Sequence, residues 1–196
     1  MRIAIASDHA GFEQKQQLVP FLEKLGHEVL DLGPENAERV DYPDYAVKVA
    51  HAVRDGQADR GVLVCGTGIG MALAADKVRG IRASSITSPE FADLARRHND
   101  LNVITLSGRF VSVEENERIL KVFLVSEFEG GRHAQRVAKI MQLDVTEKLA
   151  SAPQAPHVTP VRSTLAESID AALDAKFGPV EGGSCASGAP ADPSAN

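Results

Sequence analysis

Short apolar runs alternate along this chain with longer stretches in which apolar residues recur every three or four positions. Arg2 to Ala6 is a brief continuous run that reads as a buried strand. Gly11 to Leu25 places Phe12, Leu18, Val19, Phe21, Leu22 and Leu25 at helical spacing, and Gly26 closes that helix. His27 to Leu32 gives a second strand, which Gly33-Pro34 breaks. Tyr42-Pro43 opens a helix to about Arg54, with proline in the first turn. Strands are then predicted over Gly61 to Val64, Ile81 to Ser85 and Asn102 to Leu106, alternating with helices over Ile69 to Lys77 and Pro89 to His98. Two helices, Val113 to Phe128 and Arg132 to Leu143, follow in succession.

Five buried strands alternating with helices predict an α/β fold: a three-layer sandwich with a five-stranded parallel, Rossmann-like sheet flanked by helices. In such a sheet ligands bind beyond the carboxyl ends of the strands. Asp8 and His9 follow the first strand, Cys65 to Gly70 the third, and Gly108 and Arg109 the fifth, so the polar and glycine-rich positions converge there. This pattern fills residues 1–150, which read as one domain. Residues 151–177 form an extension in which Thr164 to Phe177 can make one amphipathic helix, and the Gly/Pro/Ser-rich residues 178–196 read as a disordered tail.

Composition narrows the function. With 43% hydrophobic and 24% charged residues the chain is typical of a soluble globular protein. Its formal net charge of −6 argues against a nucleic-acid partner, although a local basic pocket for a small anion remains compatible. No apolar run approaches the roughly 18 residues of a membrane span, so no membrane partner is expected. The opening MRIAIASDHAG runs straight into polar residues and is a strand rather than a signal peptide. Cys65 and Cys185 lie far apart, one in a glycine turn and one in the tail, so a disulfide framework is not expected and a cytoplasmic location is. No zinc-binding spacing occurs.

The glycine loop Gly66-Thr67-Gly68-Ile69-Gly70 follows a strand and opens a helix, so its backbone N–H groups can form an anion-binding nest. Its G-x-G-x-G spacing is neither the dinucleotide fingerprint nor a Walker A loop. Cys65, just before it, reads two ways: as a buried strand-end residue, or as a base or nucleophile, because N–H donors and a helix N-terminus favour thiolates. Arg132 and Arg136, four apart, share a helix face and suit a phosphate dianion, or form a solvated surface; Arg109 would add a third charge. His9 and His98 sit at element ends and are structural or catalytic. Asp8 is a helix cap or a ligand for a hydroxyl. Tyr42 packs ahead of its helix or reaches a ligand.

Together SDHAGF (7–12), DYPDYA (41–46), GVLVCGTGIGMALAADKVRGIRA (61–83), RRHNDLNVI (96–104), SGR (107–109) and EGGRHAQRV (129–137) resemble, in order, the ribose-5-phosphate isomerase B / galactose-6-phosphate isomerase family, over about residues 1–145. The resemblance implies a sugar-phosphate isomerase domain with Cys65 as the base moving a proton between C1 and C2. Thr67 would shuttle the hydroxyl proton between O1 and O2, and the N–H groups of Gly66, Gly68, Ile69 and Gly70 would stabilise an enediolate. His98 would assist ring opening, Asp8 and Asn99 would bind sugar hydroxyls, and His9, Arg109, Arg132 and Arg136 would hold the phosphate. It further implies a homodimer or homotetramer whose active site is shared between subunits, with His98 and Asn99 reaching in from the partner and Arg109 a candidate for the same. Some relatives use a glutamate from the following helix as base; here that helix offers only Asp76, so cysteine is the better choice.

The resemblance implies isomerisation of ribose 5-phosphate and ribulose 5-phosphate through an enediolate, with no metal and no cofactor expected. The same chemistry on a tetrose, allose or galactose phosphate is the alternative, and a non-catalytic sugar-phosphate-binding module is a further one. The last would keep the arginines and the glycine loop but would not need Cys65, Thr67 and His98 together.

Overall fold

A computed structural model describes residues 1–146. The expected extension over 151–177 and tail over 178–196 lie outside the described residues. The elements run β1 (Arg2–Ser7), α1 (Phe12–Lys24), β2 (Glu28–Asp31), α2 (Tyr42–Arg54), β3 (Arg60–Cys65), α3 (Ile69–Ala75), β4 (Ala83–Ser85), α4 (Pro89–Asn99), β5 (Val103–Ser107), α5 (Val113–Val125) and α6 (Arg132–Thr146). All strand pairings are parallel, in the order β2-β1-β3-β5-β4. The order reverses between β1 and β3, which is where a doubly wound sheet opens a crevice for a ligand.

The central strands β1, β3 and β5 are buried on both faces. The edge strands β2 and β4, expected to be buried, are instead largely exposed and half-buried respectively, because each has a neighbour on one side only. Strand periodicity sorts the central side chains between the faces. Ile3, Ile5, Val62, Val64, Ile104 and Leu106 pack with Leu18 and Leu22 of α1, Ala92 and Ala95 of α4 and Ile119, Leu120 and Phe123 of α5. The alternate residues Ala4, Ala6, Leu63, Cys65 and Val103 face Ala46, Val49 and Ala50 of α2 and Met71 and Ala75 of α3. Alanines make up much of this second face, beside Val49, Leu63, Met71 and Val103. At Gly61 a Cβ would stand 2.7 Å from Val49 Cγ1, so α2 lies close against β3. α6 packs on α4.

Sequence periodicity finds every one of these elements, and the differences lie at the ends. β2 stops at Asp31 because the Asp31 carboxylate accepts the Gly33 N–H at 2.9 Å, turning the chain. Lys15, almost fully buried, ion-pairs with Asp31 at 2.7 Å and donates to Pro34 O at 3.0 Å, clamping this corner to α1. β4 starts at Ala83 rather than Ile81, since Asn102 Oδ1 takes the Arg82 N–H at 2.8 Å. α5 ends at Val125, three residues early, where Ser126 is extended and its hydroxyl donates to Asp93 at 2.7 Å. Gly11 is the N-cap of α1 rather than its first helical residue. A Cβ there would sit 2.2 Å from Val64 O, so only glycine lets the start of α1 rest on the end of β3.

Candidate active site

The strand ends at the switch point carry one group of candidate residues. Cys65 is the last residue of β3, buried, with Sγ turned toward α2 and α3. The backbone beyond it turns sharply at Gly68, whose φ of 81° is left-handed. That turn brings the Gly68 N–H back onto Cys65 Sγ at 3.1 Å. The Ile69 N–H donates to Thr67 Oγ1 at 3.3 Å, and the Thr67 side chain is exposed. Neighbouring strands hold the loop from outside: Ser85 Oγ donates to Thr67 O, Thr105 Oγ1 to Gly68 O and Ser107 Oγ to Gly66 O, at 3.1, 2.8 and 2.8 Å. The loop therefore has fixed geometry before any ligand arrives, as an oxyanion site requires.

Around it stand four more candidates. The Tyr42 ring lies against Gly70, where a Cβ would be 2.8 Å from its Cζ. The Arg109 side chain lies over Gly66, its Cδ 3.5 Å from where a Cβ would be, so it stands beside the Cys65 loop of its own chain. Asp8 Oδ1 accepts the N–H groups of Ala10 and Gly11, both at 2.9 Å, and so tightens the turn into α1. His9 follows it with Nδ1 buried and without a hydrogen-bond partner among the described residues.

The other candidates lie at the opposite end of the sheet. In a parallel sheet the connecting helices run back against the strands. α4 therefore carries His98 and Asn99 down to where the strands begin, a few residues before β5 starts at Val103. Asn99 O accepts Arg82 Nε–H just ahead of β4. The His98 ring stacks on His133 of α6, centroids 4.2 Å apart and planes 4° from parallel. Arg132 and Arg136 are exposed on the same helix. Cys65 pairs with Ser107 at the far end of β5. At about 3.3 Å per strand residue, the length of β5 separates it from the His98 end. One chain thus holds two half-sets: Asp8, His9, Tyr42, Cys65 to Gly70 and Arg109 in one; His98, Asn99, Arg132 and Arg136 in the other.

Asp76, the acidic residue of the helix after the loop, is the C-cap of α3 and accepts the Ala83 N–H at 2.6 Å, at the other end of that helix from Cys65. Burial and, less, the Asp144 carboxylate push its pKa up. Sequence reasoning did not single out His133, Glu129 or Ser107. Ser107 stood in plain view in SGR, but its hydroxyl bridges two loops, accepting the Phe110 N–H at 3.0 Å and donating to Gly66 O. No spacing rule signals such a bridge. His98, Glu129 and His133 bring their ligand atoms within 4.8 Å of one another, the one such metal-sized trio among the described residues. Two of its three positions are engaged already, since Arg97 ion-pairs with Glu129 and Arg132 Nε–H donates to His133 Nε2 at 3.3 Å.

Comparison with known proteins gives the family. A family model described as Ribose/Galactose Isomerase matches residues 3–140. Ribose-5-phosphate isomerase B of Escherichia coli is 45% identical over 143 residues, 73% of this chain and 96% of that protein. Among solved structures, ribose-5-phosphate isomerase B of Clostridium thermocellum superposes with a TM-score of 0.73 at 46% identity, covering 77% of this chain and all of that one (100%). The Mycoplasma genitalium enzyme with bound ribulose-5-phosphate gives a TM-score of 0.70 at 44% identity, over 75% of this chain and 96% of that one.

Proposed function

The chain belongs to the ribose/galactose isomerase family, and from that premise we propose how it interconverts ribose 5-phosphate and ribulose 5-phosphate: Cys65 is the base that carries a proton between C1 and C2. Moving a hydrogen next to a carbonyl needs a positioned base and prearranged donors for the charge that develops. The observation that carries the assignment is the Gly68 N–H held 3.1 Å from Cys65 Sγ by a left-handed turn. It supplies one donor to the sulfur. The enediolate oxygens lie over Gly66, Gly68, Ile69 and Gly70, and Thr67 passes the hydroxyl proton between O1 and O2.

The remaining roles follow the two half-sets. His98 assists ring opening, while Asp8, Tyr42 and Asn99 bind sugar hydroxyls. His9, Arg109, Arg132 and Arg136 hold the phosphate, a remote anchor whose binding energy fixes the sugar over the base. Because the half-sets stand at opposite ends of the sheet, the complete site forms between two copies of the chain, in a homodimer or homotetramer. Exposed Ile69 and Leu73, one turn apart on α3, with exposed Tyr42 beside Gly70, give the face around Cys65 the apolar surface such a contact needs. A free thiol as base also suits a reducing, cytoplasmic setting. No helix among the described residues is long and apolar enough to cross a membrane.

The test is the initial rate of ribose 5-phosphate conversion by the purified protein with EDTA present. Saturable turnover that disappears in Cys65→Ala, with phosphate binding retained, is expected. Wild-type kcat in Cys65→Ala would remove Cys65 from the role of base.

A further inference from the structure

Glu129 stands between the end of α4 and the glycine pair that opens α6. Its backbone N–H donates to Arg97 O at 3.0 Å, so α4 itself sets its position. The Arg97 guanidinium, bound to Asp93 at 2.9 Å, also grips Glu129 Oε1. The other oxygen, Oε2, is left facing Nε2 of His98 at 3.8 Å and Nε2 of His133 at 3.7 Å. The Arg97 guanidinium holds the Glu129 carboxyl below the ordinary carboxylate range, so it faces the two rings as an anion.

Two stacked imidazoles do not readily both become cations, because like charges this close disfavour one another. The neighbours decide between them. Arg132 Nε–H donates to His133 Nε2, which makes that nitrogen an acceptor and places the His133 proton on Nδ1. Burial, then the adjacent His98 and Arg132, lower the His133 pKa, against the pull of Glu129, and Arg136 adds to the lowering. His98 is then the ring that can turn an Nε2–H to Glu129 and keep Nδ1 for exchange with a bound sugar. The separations of 3.7 and 3.8 Å are those of ion pairs, and such contacts tighten when substrate binds.

We propose that Glu129, anchored by Arg97, is a positioning residue for ring opening: it fixes the tautomer and orientation of His98 from behind, as a carboxylate does for a catalytic histidine. This rests on the reading that His98 assists ring opening. That step breaks the C1–O4 bond and forms the C1 carbonyl; the anomeric proton leaves O1 and a proton is delivered to O4. His98 Nδ1 is the group through which those protons pass. Ring opening applies to the aldose alone. In ribulose 5-phosphate the phosphate occupies the oxygen that would close a five-membered ring, so the ketose is open.

That asymmetry supplies the test. Glu129→Gln keeps the shape and removes the charge. Two rates are measured on the same protein: conversion of ribose 5-phosphate, and uptake of solvent deuterium at C1 of ribulose 5-phosphate, which needs only the base and the enediolate donors. The expected result is a fall in conversion on the order of tenfold, less than the roughly hundredfold or more of losing a whole acid–base group, with deuterium uptake within twofold of wild type. Glu129→Asp should recover part of the conversion. Unchanged conversion, or an equal fall in both rates, would overturn the proposal. Absence of both rates in the wild-type protein would instead overturn the isomerase reading beneath it.

Discussion

Gly68→Ala strains the turn that aims an N–H at Cys65, and the cost can be worked out. At φ 81° an alanine lies in the left-handed region, which costs about 1–2 kcal/mol for a residue with a Cβ. Its Cβ would also stand 2.6 Å from Ser85 Oγ, 3.2 Å from Thr105 Oγ1 and 3.3 Å from the Leu106 carbonyl carbon. Overpacking of that kind adds about 1–3 kcal/mol. The chain relieves both by swinging residue 68 out of its turn, which takes its N–H off Cys65 Sγ and breaks the Thr105 hydroxyl bond to Gly68 O. Removing one preorganised donor costs about 10²–10³ in kcat. The expected outcome in steady-state assays is a kcat lower by about a hundredfold, together with a Tm lower by about 4–20 °C for the combined ~2–5 kcal/mol at roughly 2–4 °C per kcal/mol. Gly56→Ala is the control: it shares a positive φ (71°) but meets nothing within 4 Å, so it should lose a few degrees of Tm and no activity. If Gly68→Ala keeps wild-type kcat and melts like Gly56→Ala, the turn does not aim a catalytic donor.

Three further outcomes are expected. Mixing inactive Cys65→Ala and His98→Ala proteins should restore up to about a quarter of wild-type activity, because half the random dimers carry one intact site of two when sites form across a two-fold interface; no recovery would place both residues in one chain's site. Arg132→Ala and Arg136→Ala should each raise KM for the sugar phosphate, and inorganic phosphate should become a weaker competitive inhibitor by the same factor; a change in kcat alone would contradict phosphate binding. Asp76→Asn should melt higher than wild type near pH 7. Burial raises the folded-state pKa of Asp76 above its unfolded value, so its carboxyl opposes folding once ionised. The advantage should shrink as pH falls through that raised pKa and vanish below the unfolded value; a difference in Tm independent of pH would refute it.

Periodicity was enough to read the order and type of the elements, because the central strands, buried on both faces, read as continuous apolar runs and the helices that cover them as amphipathic stretches. Its failures are at ends fixed by single side chains, such as Asn102 capping the Arg82 N–H and Ser126 binding Asp93. Cys65 and its glycine loop were legible as chemistry because strand, turn and helix follow in sequence. Which candidates come together was not. His98 and Cys65 each look like a site residue, yet the antiparallel run of α4 carries one to each end of the sheet. Glu129 and His133 were hidden by the Gly130-Gly131 break, which removes the helical spacing that would have related them, although the fold brings their side chains to 3.7 Å.

The face of the sheet that carries Cys65 is lined by Ala4, Ala6 and Gly61, and the helix above it by Ala46 and Ala50. Side-chain size in that layer therefore acts as a spacer: it sets how deep the sulfur sits beneath the surface from which a sugar approaches. Thickening the layer along α2 would lift the helix and with it Tyr42 at its tip, so a substitution remote from the substrate would shift a residue of the site and the clearance above the thiol.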